Sequence, residues 1–211
     1  MKAIISALSI IREFRRSYIV LNLVYYGLVV CGMTYAAFNP SLQQSLLDAV
    51  RSAFSEGPFS PVAGAYSGGQ VLLAMVLTFA VNLAIGSFLW ITLPSLVLPF
   101  SGLLTGGFRA VLWGLLFSPS NPEMSVVMIP HSLTLILEGQ AYVLAMLAAY
   151  VQGRAFLSPA TVDATGHGEG YLAGVKRSLR LYLLVAIVLA VSAVYEVVEV
   201  IYIIPLFGGI G

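Results

Sequence analysis

From Val71 to Phe117 the chain is apolar almost without interruption, and Arg109 is its one charged side chain there. As a single helix this stretch would extend roughly 70 Å, more than twice the roughly 30 Å hydrocarbon core of a bilayer, so it must turn back on itself. Pro94 and Pro99 mark the expected turn and split the stretch into crossings at about 70–93 and 95–117. Three further apolar runs of span length, about 18–38, 126–151 and 181–206, are bounded by proline, glycine or charge. Composition agrees, with 59% hydrophobic and 9% charged residues and a mean hydropathy of +0.96, against about 25% charged in soluble domains. The chain reads as an all-α membrane protein, a compact bundle of about five transmembrane helices forming one domain over 18–206. No β alternation competes.

Lysine and arginine set the orientation, because positive charge stays on the cytoplasmic side. Lys2, Arg12, Arg15 and Arg16 precede the first span, and Arg154, Lys176, Arg177 and Arg180 lie between the fourth and fifth. Five crossings bring both groups to one side, leaving only Arg51 outside and Arg109 within a span. The N-terminus is then cytoplasmic, the C-terminus outside, and the location a multi-pass cytoplasmic (inner) membrane. Segment 1–17 is read either as an interfacial helix with Ile4, Ile5, Leu8 and Ile11 as its apolar stripe, or as a charge cluster that only sets topology. Loop 39–69 lies outside and holds an amphipathic piece, "SLQQSLLDAVRSAF". Loop 152–180 is cytoplasmic and includes the flexible linker "SPATVDATGHGEG", in which His167 is a solvated loop residue. The lone Cys31 excludes an intramolecular disulfide and is expected to pack as a small apolar group.

Ionisable groups inside spans are costly and tend to face the bundle interior. Arg109, His131, Glu138, Glu196 and Glu199 qualify, with Asn82 at similar depth. Helix rise puts Arg109 ~12 Å from the outer end of its span, His131 and Glu138 ~8 and ~18 Å below the start of theirs, and Glu196 and Glu199 ~15 and ~10 Å from the end of theirs. All fall in the outer half of the bilayer. His131, Leu135, Glu138 and Tyr142 share one helical face, and Ser192, Tyr195, Glu196, Glu199 and Tyr202 another. One reading is a structural network in which Arg109 neutralises a glutamate and the other carboxyls are neutral or bonded to Tyr and Asn. Another is a pocket for a polar ligand, substrate or partner. A metal site has acceptable ligand types, but neither Glu-x-x-His nor His-Glu-x-x-His occurs, and no cofactor is implied. Serine catalysis lacks a Gly-x-Ser-x-Gly elbow, and no P-loop or dinucleotide fingerprint is present. Gly102 and Gly106 form a GxxxG pair, and with Pro94 and Pro99 before them the third span is read as having a broken or re-entrant start.

The order "FAVNLAIGSF", a glycine-rich third span, "IPHSL" and "SAVYEVVEV" resembles the stage II sporulation protein M family of membrane proteins over roughly 71–200. Asn82, Pro130, His131 and Glu196 match the family pattern. Ser132 replaces its usual glycine and Leu135 its usual glutamate, with Glu138 about one turn further along the same face. The resemblance implies a scaffold that gathers cell-wall hydrolases at a septum. The expected function is therefore a non-enzymatic membrane scaffold or accessory subunit that binds partners through its outer face and polar layer. The alternative is the permease subunit of a transporter with a separate ATPase, and an intramembrane enzyme comes third. Expected partners are membrane lipids and other membrane or extracytoplasmic proteins, with a homo-oligomer left open and no nucleic acid.

Overall fold

The structure, a computed structural model, describes residues 2–207; residue 1 of the N-terminal segment and residues 208–211 lie outside it. Among the described residues it is all-helical and has no strand. In chain order the helices are α1 (Lys2–Glu13), α2 (Arg15–Phe38), α3 (Pro40–Ser55), α4 (Ser60–Ser67), α5 (Val71–Val81), α6 (Leu93–Val97), α7 (Ser101–Leu116), α8 (Pro122–Leu157) and α9 (His167–Val198). Between α5 and α6 the helix continues in π form over Asn82–Thr92, and α9 continues in π form over Glu199–Ile203. Four helical stretches are long and apolar enough to cross a membrane: Arg15–Phe38, Val71–Val97, Met124–Leu157 and His167–Phe207. The apolar α7 has 16 residues, a length of about 24 Å.

α8 is the central helix. Every residue from 141 to 149 is buried, and α2, α7, α9 and the π-helical stretch pack around it. Ala141, Ala145, Ala148 and Ala149 make that approach possible, since small side chains let helices come close where lipid offers no hydrophobic gain on association. The outward faces are apolar, with Leu23 70%, Leu72 75% and Leu104 79% exposed. α2 and α7 meet through glycine. A Cβ on Gly32 would lie 2.6 Å from the Val111 carbonyl oxygen and 3.0 Å from Gly114 Cα, and one on Gly114 would strike the Val29 carbonyl. The Gly102 and Gly106 pair faces the other way: Gly102 lies under Ile91 and Ser95, and Gly106 against Met146.

The first π-helical stretch changes which side of the helix is buried. Ala74 and Thr78 are buried four residues apart in α5, and continuing by fours would bury Trp90. Instead Trp90 is 38% exposed while Ser87, Ile91 and Ser95 are buried. An i→i+5 turn holds one surplus residue, which advances the buried row by one position.

Several expectations require correction. The chain does not turn at Pro94: Pro94 lies inside the continuous helix Val71–Val97, just past its π-helical stretch, and Ser95 belongs to the second apolar helix. The reversal falls at 98–100, where Phe100 has a left-handed φ of 68°, and α7 then begins as regular helix at Ser101. Cys31 is exposed on α2 rather than packed. The stretch between the fourth and fifth apolar runs is mostly helix. α8 runs to Leu157 and α9 starts at His167, because Gly170 and Gly174 let the two extensions pack closely and Ser178 donates to the Ala148 carbonyl at 2.8 Å. His167 opens α9, with Nδ1 2.7 Å from the Phe156 carbonyl, so it is partnered. Segment 2–13 is a helix with Ala7 and Ile10 buried and Ile4, Ile5 and Leu8 exposed, and Glu13 pairs with Arg177 of α9.

At the end opposite the basic residues, α3 and α4 cap the bundle. The amphipathic α3 is anchored by Gln43, which is 1% exposed and donates to the carbonyls of Leu116 (3.0 Å) and Ser118 (2.9 Å). These carbonyls lie at the end of α7, where no intrahelical partner remains.

Candidate functional site

Beneath α3 and α4 lies a cavity of about 370 Å³. Its upper walls are apolar and aromatic, with Phe54 and Phe59 stacked at 5.4 Å and Trp90 and Trp113 opposite. Its floor is polar, made by Asn82, Arg109, His131, Thr134, Glu138 and Glu196. Toward the basic end the interior packs Ile91, Met146, Leu147 and Leu189, all fully buried, together with the buried Gln152 and Ser178.

The floor holds two clusters. In the first, Asn82 Nδ2 donates to Glu138 Oε1 at 2.5 Å. The Tyr142 hydroxyl accepts from Arg109 Nη2 at 2.8 Å and lies 2.8 Å from Asn82 Oδ1 and 3.2 Å from Glu138 Oε2, its single proton serving one of them at a time. Arg109 also stacks over the rings of Tyr142 (4.2 Å) and Trp113 (5.0 Å). Its Nε has no partner, and among the described residues it forms no direct ion pair with a carboxylate. Gly86 makes the arrangement fit: a Cβ there would lie 3.1 Å from the Tyr142 hydroxyl and 3.2 Å from Arg109 Nη2.

In the second cluster Glu199, fully buried, takes His131 Nδ1 at 2.9 Å on one oxygen and the Thr134 hydroxyl at 2.5 Å on the other. Phe117 covers the imidazole with ring centroids 4.7 Å apart. Tyr195 donates to the Pro130 carbonyl at 3.0 Å, fixing α9 against the first turns of α8. Glu196 of α9 lines the same floor as Glu138 and His131. One Glu196 oxygen is buried without a partner.

The six residues singled out in the sequence thus lie in one layer. They come from the π-helical stretch after α5 (Asn82), α7 (Arg109), α8 (His131, Glu138), α9 (Glu196) and the terminal π turn (Glu199). Both π-helical stretches begin on a member, Asn82 and Glu199, and π turns inside helices recur at functional sites. Arg109 does not neutralise a glutamate directly; Tyr142 stands between them. Tyr202, placed on the Glu196 stripe, is 54% exposed, because the wider π turn breaks the i, i+3 stacking assumed for it. Leu135, in contrast, is buried, as is Ser192. Among the described residues, no three His, Cys, Asp or Glu converge as metal ligands would.

Sequence reasoning missed Thr134, whose hydroxyl lies one turn before Glu138, and the polar seam between α2 and α8. In that seam Gln140 accepts from the Tyr18 hydroxyl (2.7 Å) and donates to Asn22 (2.6 Å) and Tyr26 (3.0 Å). Amides and hydroxyls inside apolar runs carry the same signal as charges, only weaker. Comparison with protein-family models, curated proteins and solved structures gives no match to this chain.

Proposed function

We propose that this chain is a five-span membrane scaffold or accessory subunit without enzymatic activity, whose capped-end cavity holds a ligand or a segment of a partner. In this reading α7 is the fifth crossing, the basic end is cytoplasmic and the cavity opens on the outer side of the cytoplasmic membrane. Eight lysines and arginines at one end support the orientation. The observation that carries the function is this cavity, whose aromatic walls and polar floor suit an amphipathic guest. The resemblance to the stage II sporulation protein M family, carried by Asn82, Pro130, His131 and Glu196, points to the same scaffold class.

The test is site-specific photocrosslinking in the native membrane, with a photoreactive residue at Phe54 on the cavity wall and, separately, at the outward-facing Leu104. Protein adducts at Phe54 and lipid-only adducts at Leu104 are expected. Equal protein capture at both positions, or co-purification of an ATPase with either variant, would overturn the reading.

A further inference from the structure

At the basic end, α1 and α2 meet at Phe14, where the helix pauses for one residue. Beside this pause lies a second cavity, of about 490 Å³, lined by Arg12, Arg15, Arg16 and Arg154 together with Ser17 and Thr161. The one carboxylate on its wall, Glu13, is already engaged by Arg177. Arg154 is steered by the Tyr150 hydroxyl at 3.4 Å and lies 5.7 Å from the Phe14 ring. Among the described residues none of the four arginines has a carboxylate partner. Four guanidiniums gathered around one cavity repel one another unless an anion enters, and their planar forks match phosphate oxygens two at a time.

The surroundings say what carries that phosphate. Ile4, Ile5 and Leu8 are exposed on α1, the helix that carries Arg12, and Ile19, Val20 and Leu23 are exposed on α2, the helix that carries Arg15 and Arg16. A soluble anion would gain nothing from those faces, whereas a phospholipid would lay its acyl chains along them with its phosphate at the level of the arginines. We infer that the cavity is a headgroup site for an anionic phospholipid, with Arg12, Arg15, Arg16 and Arg154 as its phosphate donors. The inference needs only that the bundle sits in a membrane and is independent of what the opposite cavity holds.

Native mass spectrometry of the full chain in detergent, titrated with phosphatidylglycerol or phosphatidylcholine, tests it. The unaltered protein should retain phosphatidylglycerol at least tenfold more tightly. Arg15→Gln with Arg154→Gln should lower that affinity by about fivefold per arginine, the weight of one basic group at an anionic surface. Lys176→Gln with Arg180→Gln removes the same charge outside the cavity and should change affinity less than twofold. Lack of lipid preference in the unaltered protein overturns the proposal whether or not a variant folds. Equal losses in both double variants overturn it as well, because they would report net charge alone. Stabilisation by inorganic phosphate equal to that by phosphatidylglycerol would refute the lipid assignment.

Discussion

Tyr142→Phe removes one oxygen, and the geometry sets how much that matters. The hydroxyl is the acceptor for Arg109 Nη2 and a neighbour of both Asn82 and Glu138. Loss of an ordinary hydrogen bond between membrane helices costs only about 0.6 kcal/mol. Here the deletion also strands a buried guanidinium donor beside an Nε that already lacks a partner. An orphaned buried donor costs about 1–3 kcal/mol, and because the guanidinium keeps its stacking on the rings of residue 142 and Trp113, about 2 kcal/mol is expected. For a chain of this size that is a fall of about 4–8 °C in Tm, against about 1–2 °C for an ordinary bond. The assay is a thermal melt in detergent of Tyr142→Phe, Arg109→Met and the double variant. Removing both partners leaves no orphaned guanidinium, so the double variant should melt above the sum of the single losses by about 1–2 kcal/mol of coupling. A single loss below 2 °C, or strict additivity, would refute the claim that Tyr142 bridges Arg109 to the carboxyl layer.

Two further outcomes follow from geometry elsewhere. Gly32→Ala drives a methyl into the α7 backbone and should cost about 1–3 kcal/mol, while Gly27→Ala on the same helix meets nothing within 4 Å and should leave Tm unchanged or slightly higher. With the exposed Cys31 replaced by serine, a membrane-impermeant maleimide on intact cells should label Ser55→Cys at once and Thr161→Cys only after permeabilisation. The reverse pattern would invert the proposed orientation.

Hydropathy made the apolar helices visible because it measures contact with lipid, which the outward faces of α2, α5 and α9 supply. It could not find helix ends. Residues 167–180 carry glycine and charge and look like a loop, yet they are helix because Gly170 and Gly174 let α9 pack on α8. Pro94 reads as a breaker, yet the helix Val71–Val97 runs through it and ends only at the reversal after Val97. The polar layer was legible because charge in an apolar run is rare, and spacing of three and four residues correctly put His131 and Glu138 on one face. The same spacing failed for Tyr202, since no residue pattern announces a π turn. Tyr142 could be placed on the stripe but not identified as the bridge, because its role depends on Arg109 and Asn82 arriving from other helices.

The surplus residue stored between Asn82 and Thr92 gives this helix two phases. Before it, Ala74 and Thr78 face inward; after it, Ser87, Ile91 and Ser95 do. A substitution anywhere along the helix leaves both phases intact. Loss or gain of one residue in that stretch would not, because it slides one half of the helix against the other: a gain brings the indole of Trp90, and a loss brings Thr92, to a position built for Ile91. The length of this segment is therefore held more tightly than most of its letters, and the cavity floor at Asn82 depends on a count as much as on a side chain.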